Sequence, residues 1–377
     1  MEINLFMSKI ISIGTAVPQY SYSQTDLVDK MLAFHGWDDP VQHRKLRVLY
    51  KRTAIETRHS VIPDFSMNGA IPSLFEYSAG ATDMPSVESR LSVFQKEAFP
   101  LASAAIENNF DQNSISIQNV THLITVSCTG MAAPGLELQI IEELGLRPDI
   151  RRFGVNFMGC YAVFHALQMA DALCKADQSA RVLIVSVELC TLHFQSRDDS
   201  DILLANALFS DGAASALVVS DPIAANLPGK PALNIRGFGS YVLQKGKQDM
   251  GWDISSDGFI MTLSSAIPDL IQENITRVAG KVLAKYNLTT ADIAHWAIHP
   301  GGRKILTAIE NALNLSASAL NVSRKILADF GNMSSATILF VLKEMLENSN
   351  ELHPGETIFS AGFGPGLALE SALFTYE

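Results

Sequence analysis

Residues 152–174, R-F-G-V-N-F-M-G-C-Y-A-V-F-H-A-L-Q-M-A-D-A-L-C, decide how this chain is read. The first part, Arg152–Phe157, reads as a strand that delivers the chain to Gly159. Beyond that glycine, Val163, Phe164, Leu167, Ala170, Leu173 and Cys174 recur at the spacing of one helical face. Cys160 therefore stands at a strand-to-helix turn. A free thiol has a pKa of about 8.5, and the positive end of a helix and a neighbouring imidazole both favour the thiolate. An ordinary cysteine is a small buried hydrophobe. Cys174, on the apolar face of the helix, is read that way; Cys160 is read as a nucleophile.

Working outward, T-H-L-I-T-V-S-C (121–128) reads as a buried strand, Pro134–Leu144 as a helix, and Arg181–Val187 and Ala213–Val219 as further strands. Alternating βα units imply a mostly parallel sheet covered by helices. Before them lie a strand around Ile10–Ile13, helices near Asp26–Phe34 and Pro40–Thr53, and a stretch from Ile62 to Pro85 that reads as irregular and surface-running. The plan recurs towards the C-terminus. Ile293–Ile298 is a strand ending at His299, Arg303–Leu313 is a helix, and F-G-N-M-S-S (330–335) opens another with Ile338, Leu339, Leu342, Met345 and Leu346 on one face. Thr357–Ala361 and Leu367–Phe374 read as strands around G-F-G-P-G (362–366). Gly159-Cys160-Tyr161 and Gly331-Asn332-Met333 thus hold equivalent places, which points to an internal duplication. Pro222–Pro231 is the best boundary, giving halves 1–225 and 226–377.

Composition narrows the classes. The chain has 377 residues, 47% hydrophobic and 18% charged, so a compact, core-rich protein is expected. No run approaches the roughly 20 apolar residues of a membrane span, and the N-terminus lacks the pattern of a signal peptide; Met7 offers a second start. Four cysteines (Cys128, Cys160, Cys174, Cys190) show no C-x-x-C pair and no zinc-finger spacing, so neither a metal nor a disulfide framework is expected and a reducing cytoplasm fits best. The formal charge of −11 argues against nucleic acid. One stretch departs from it: H-R-K-L-R-V-L-Y-K-R-T (43–53) carries five basic residues and no acid.

Cys160, His299 and Asn332 all sit beside glycine. His299 precedes Pro-Gly-Gly, where other groups can approach the backbone closely. Asn332 alone would be a helix N-cap; that role and a catalytic one are compatible only if the side chain points away from its own helix. A thiol, an imidazole and an amide together suggest an enzyme that forms a covalent thioester.

G-C-Y-A, W-A-I-H-P-G-G, G-N-M-S-S-A and G-F-G-P-G-L, in this order and spacing, resemble the chalcone synthase-like family, the type III polyketide synthases. S-C-T-G, L-G-L-R-P and A-L-F-S-D-G-A-A-S-A-L agree, and the resemblance covers nearly the whole chain. It implies an α/β thiolase fold, with duplicated αβαβα halves and central mixed sheets, and a homodimer. It also implies that Cys160 accepts a starter acyl group from a coenzyme A or carrier-protein thioester. His299 and Asn332 would hold the malonyl thioester carbonyl and stabilise the enolate left by decarboxylation. Phe209 matches an aromatic gate, and Gly364 and Pro365 fall in the motif beside the cavity. Lys45 and Arg52 match coenzyme A contacts, with Arg47 and Arg303 assigned to the same surface; Val48 replaces a usual basic residue. No cofactor is implied beyond coenzyme A thioesters as substrates.

The departures concern substrate. Met261 stands where plant members carry a phenylalanine, and Cys128, Cys190 and His193 stand where they carry threonines. A flexible methionine suits an aliphatic starter, and His193 is read as a titratable group beside the growing chain. Three rivals remain. A papain-like hydrolase shares the Cys-His-Asn order without its local signature; an initiating β-ketoacyl-carrier-protein synthase shares fold and triad but performs one condensation; a non-enzymatic acyl-binding subunit would have no need of all three residues. Starter, number of extensions and ring type stay open.

Overall fold

The computed structural model describes residues 7–66, 71, 73–75, 84–111, 114–227, 231–347 and 352–377. β1 (Ser8–Ala16) is followed by the short pair β2 (Tyr20–Ser23) and β3 (Thr57–Ser60), then by β4 (His122–Ser127), β5 (Arg151–Asn156), β6 (Arg181–Leu189) and β7 (Asp211–Ser220). Next come β8 (Leu233–Val242), the hairpin β9 (Met250–Ser255) and β10 (Gly258–Leu263), β11 (His295–Ile298), β12 (Thr357–Gly364) and β13 (Ala368–Tyr376). The helices are α1 (Gln24–His35), α2 (Pro40–Arg52), α3 (Val87–Phe110), α4 (Leu136–Glu143), α5 (Ala162–Ala176) and α6 (Ser200–Leu208). The remainder are α7 (Asp221–Ala224), α8 (Ile267–Ala284), α9 (Arg303–Leu313), α10 (Asn321–Phe330) and α11 (Thr337–Glu347).

Nine strands form one sheet in the order β11-β12-β13-β8-β1-β7-β6-β4-β5. The duplication is visible in its directions. β4-β6-β7-β1 and β11-β12-β13-β8 both run parallel, antiparallel, antiparallel. The two sets meet where β1 pairs β8 antiparallel, Ser8–Ile10 against Leu233–Ile235, and β5 adds a further parallel strand to the first. The expectation of a mostly parallel sheet is therefore corrected to a mixed one, three pairings parallel and five antiparallel. All ten residues of β7 are buried. Burial on both faces produces an apolar run in either direction, so the run reports burial and not orientation.

Alternation along the strands sorts side chains into three large cores and a small one around Ile11, Leu217 and Val219. Ile124, Ile184, Ala216, Ile358 and Phe374 pack with α5 and α11. Leu123, Leu183, Val185 and Ala213 turn the other way towards α1, α2 and α3. Trp296, Phe359, Ala361 and Leu373 pack with α8 and α9. α5 and α11 thus lie between the two halves of the one sheet, with α1, α2 and α3 outside the first half and α8 and α9 outside the second, a five-layer order. Each large apolar side chain buried this way contributes about 1.5–3 kcal/mol.

Several elements were not anticipated, including α3, α6, α8, α10 and β8–β10; α3 carries Pro100 inside it. The segment from Ile62 to Pro85 is not surface-running throughout, since Asp64, Phe65 and Phe75 are buried. Residues 67–70, 72 and 76–83 of it lie outside the described residues, as do 228–230 of the expected boundary.

Candidate active site

The site is made at strand ends. β4, β5 and β6 are parallel, so their carboxyl ends deliver Cys128, Cys160 and Cys190 to one side of the sheet. β11 and β12, also parallel, end at His299 and Gly364. Both sets open on one cavity, lined among others by Cys160, His299, Asn332, Phe209, Met261, Cys128, Cys190, His193 and Pro365. Carboxyl ends of parallel strands are where open α/β sheets place their ligands.

The turn carrying the nucleophile is tightly specified. Gly159 has φ 88°, a conformation costly for any residue with a Cβ. A Cβ there would also sit 2.2 Å from Pro365 Cδ. The Gly159 N–H donates to Cys128 Sγ (2.9 Å). Gly364 packs on the other side, where a Cβ would lie 2.6 Å from the Tyr161 ring. Pro365 lines the cavity; Gly364 instead lets the G-F-G-P-G turn close on the nucleophile turn.

Burial sets the charge state. It pushes the Cys160 thiol up to about 12; a hydrogen bond from Ser334 opposes it, the buried Glu188 reinforces it, and a hydrogen bond from Asn332 opposes it. Burial likewise lowers His299 to about 3. Desolvation thus works against the thiolate that the helix end and the hydrogen bonds favour. His299 is 1% exposed, and among the described residues neither ring nitrogen has a partner. A buried polar group left unpaired costs about 1–3 kcal/mol, so this imidazole is held ready for a group that would satisfy it.

Asn332 reconciles its two readings. Its Oδ1 accepts from the Ser334 N–H (2.9 Å), capping the turn that leads into α11, while Nδ2 faces away and donates to the Gly301 carbonyl (3.4 Å). Its backbone is pinned across the halves, N–H to Leu208 O and C=O to Ser210 N–H, both 2.9 Å. That bridge sets Phe209 opposite Asn332.

His193 lines the cavity but is not the titratable group expected. Its Nε2 meets the Thr129 carbonyl (2.6 Å), Nδ1 accepts the Phe259 N–H (3.1 Å), and its ring stacks on Phe259 at 4.1 Å. Burial lowers its pKa to about 3. Both nitrogens are occupied, so it acts as a neutral brace.

Sequence reading missed Glu188. This fully buried carboxylate accepts from the Cys128 N–H (3.0 Å), Thr129 Oγ1 (2.9 Å) and Ser335 Oγ. It thereby ties the β4 loop of one half to the Asn332 turn of the other. An acid ending the apolar run R-V-L-I-V-S-V was the available signal. Trp252 was missed too; its Nε1–H donates to the Cys128 carbonyl (2.7 Å) and fixes the β9–β10 hairpin over the site.

The basic residues lie outside. Lys45 and Arg52, seven apart on α2, share one exposed flank. Arg47 lies roughly 150° round the helix and is ion-paired with Asp29 of α1, so it does not join them. Arg303 is exposed at the start of α9, between Gly301 and Ile305, which both line the cavity. Among the described residues no cluster of three His, Cys, Asp or Glu could hold a metal ion, and no helix is long and apolar enough to cross a membrane.

A duplicated five-layer fold with Cys, His and Asn at its strand ends defines a thiolase-fold acyltransferase. More narrowly, the chain belongs to the chalcone and stilbene synthases: their N-terminal domain matches residues 4–222 and their C-terminal domain residues 240–375. It is 29% identical, over 97% of its length and 90% of the relative's, to the alpha-pyrone synthesis polyketide synthase-like Pks18 of Mycobacterium tuberculosis. It is 30% identical, over 98% and 99%, to a putative chalcone synthase of Bacillus subtilis. Crystal structures agree: PKS-I of the brown alga Ectocarpus siliculosus superposes with a TM-score of 0.92 at 26% identity, covering 100% of both chains. The C-terminal type III polyketide synthase domain of Steely1 from Dictyostelium gives 0.88 at 27%, covering 98% and 99%. The chain is a type III polyketide synthase, an acyltransferase of decarboxylative condensation.

Proposed function

We propose that the halves 1–225 and 226–377 supply, respectively, the nucleophile Cys160 and its partners His299 and Asn332. The Cys160 thiol attacks an acyl-CoA thioester while neutral His299 takes its proton. Thiolate and imidazolium form together, so each offsets part of the other's desolvation. Coenzyme A leaves with the proton, and the acyl group stays on sulfur. A malonyl thioester then places its carbonyl oxygen between the His299 N–H and Asn332 Nδ2. As carbon dioxide departs, these donors hold the enolate. Its carbon attacks the Cys160 thioester, and the sulfur is released with the chain two carbons longer. Cyclisation to a pyrone or aromatic ring ends the sequence.

The observation that carries this reading is His299, buried with both nitrogens unpaired beside Cys160 and Asn332 in one cavity. Lys45, Arg52 and Arg303 serve the coenzyme A phosphates at the mouth. Among the described residues the outer edge of β5 carries no partner strand; we assign it to a homodimer, since an unpaired edge is a template for another strand. Four free, buried cysteines suit a reducing cytoplasm. Incubation with malonyl-CoA and acyl-CoA starters, followed by mass spectrometry of products, tests the function. Triketides or tetraketides support it; products of one extension alone would overturn it in favour of an initiating ketoacyl synthase.

A further inference from the structure

The last carbonyls of a helix have no partners inside the helix. At the end of α6 each of them finds one elsewhere. Arg58 Nη1 donates to the Asn206 carbonyl (2.6 Å) and to the Phe209 carbonyl (2.8 Å). Gln24 Nε2 donates to the Ala207 carbonyl (2.8 Å). The Leu208 carbonyl takes the Asn332 N–H (2.9 Å). Asn332 is thus fastened to a helix end that Arg58 and Gln24 complete. Arg58 is 5% exposed and lines the Cys160 cavity. Its Nε donates to Gln24 Oε1 (2.9 Å), and its guanidinium carbon lies 5.6 Å from the centre of the Tyr50 ring. These acceptors are neutral oxygens, and the negative end of a helix is a place where a buried cation is stabilised. The arginine stem reaches the other side of the bridge as well: a Cβ on Gly331 would lie 3.0 Å from Arg58 Cγ. One side chain therefore holds the Phe209 carbonyl and packs against the residue that precedes Asn332.

We infer that Arg58 is a positioning residue for decarboxylation. By fixing the end of α6 it fixes the Leu208 and Ser210 contacts that aim Asn332 Nδ2 at the malonyl carbonyl. The inference rests on Asn332 being a donor to that carbonyl. Arg58→Lys keeps the charge but loses the planar fork that holds Gln24 and two carbonyls at once.

The test is a double-mutant cycle on malonyl-CoA decarboxylation, read as released carbon dioxide, with Arg58→Lys, Asn332→Ala and both together. Arg58→Lys alone lowers kcat about 10–10²-fold, the scale of a group misplaced by about 1 Å. In the Asn332→Ala background it lowers kcat by no more than about twofold, the scatter of such cycles. Losses of equal size in both backgrounds, or no loss in either, overturn the assignment, because a merely structural arginine acts whatever stands at position 332. Hydrogen exchange gives a second readout. Arg58→Lys speeds exchange of the Ser210 and Asn332 amides about fivefold, as one weakened hydrogen bond does; unchanged exchange there also overturns the assignment. If Arg58→Lys does not fold, Gln24→Met carries the same cycle, since it removes the acceptor of Arg58 Nε and leaves the guanidinium in place. The two readings fail separately: wild-type decarboxylation by Asn332→Ala, with faster exchange in Arg58→Lys, keeps the hold of Arg58 on Asn332 and loses the catalytic reading.

Discussion

Two imidazoles in one cavity are both driven neutral by burial, to about 3, yet they do opposite things. His193 has its nitrogens engaged, while His299 has neither. Partnering, not pKa, separates the structural histidine from the reactive one. His299→Ala or Asn332→Ala removes one donor to the enolate and lowers decarboxylation of malonyl-CoA about 10²–10³-fold, read as released carbon dioxide. His193 contributes to stability through its titration. Its folded pKa of about 3 lies below the unfolded value of about 6.5, so the unfolded chain binds the extra proton. The neutral form therefore supports the fold fully above pH 6.5, and that support is lost as the pH falls towards 3. At pH 4.5 the loss is about 3 kcal/mol. His193→Gln keeps a donor and an acceptor but cannot charge. Its urea midpoint falls less than that of the wild type between pH 7 and 4.5; parallel falls would contradict the assignment.

At the scale of elements, the nucleophile turn depends on what glycine lacks. Gly159→Ala imposes a left-handed conformation costing about 1–2 kcal/mol and drives a methyl group into Pro365. The turn must shift, so both melting temperature and acylation rate fall together. Gly280 is the contrasting case: it lies exposed within α8, and a Cβ there meets nothing within 4 Å. Gly280→Ala raises stability by about 1 kcal/mol, measured by denaturant titration, with no effect on acylation. Cys128 was legible as a cavity residue and Glu188 as an acid ending an apolar run, but the partners that make them supports were not. A sulfur accepting one backbone N–H and a carboxylate tying two loops act across long separations, which no local pattern carries.

For the whole molecule, the glycine-flanked Cys160, His299 and Asn332 and the repeated strand-turn-helix plan were legible because each is written locally. Strand direction was not, because burial on both faces gives the same apolar run either way. Arg47 looked equivalent to Lys45 and Arg52 until its place on the helix and its pairing with Asp29 were seen. Sedimentation is expected to give twice the mass of the 377-residue chain; a monomer at micromolar concentration would remove the role given to the β5 edge. The central claim is that Cys160 carries the growing chain between the two halves. Intact-protein mass spectrometry after mixing with an acyl-CoA starter tests it most directly, with peptide mapping of the adduct. The account predicts one acyl group per chain, on the peptide containing Cys160, and none in Cys160→Ser; an adduct on another residue, or polyketide formed by Cys160→Ser, would contradict it.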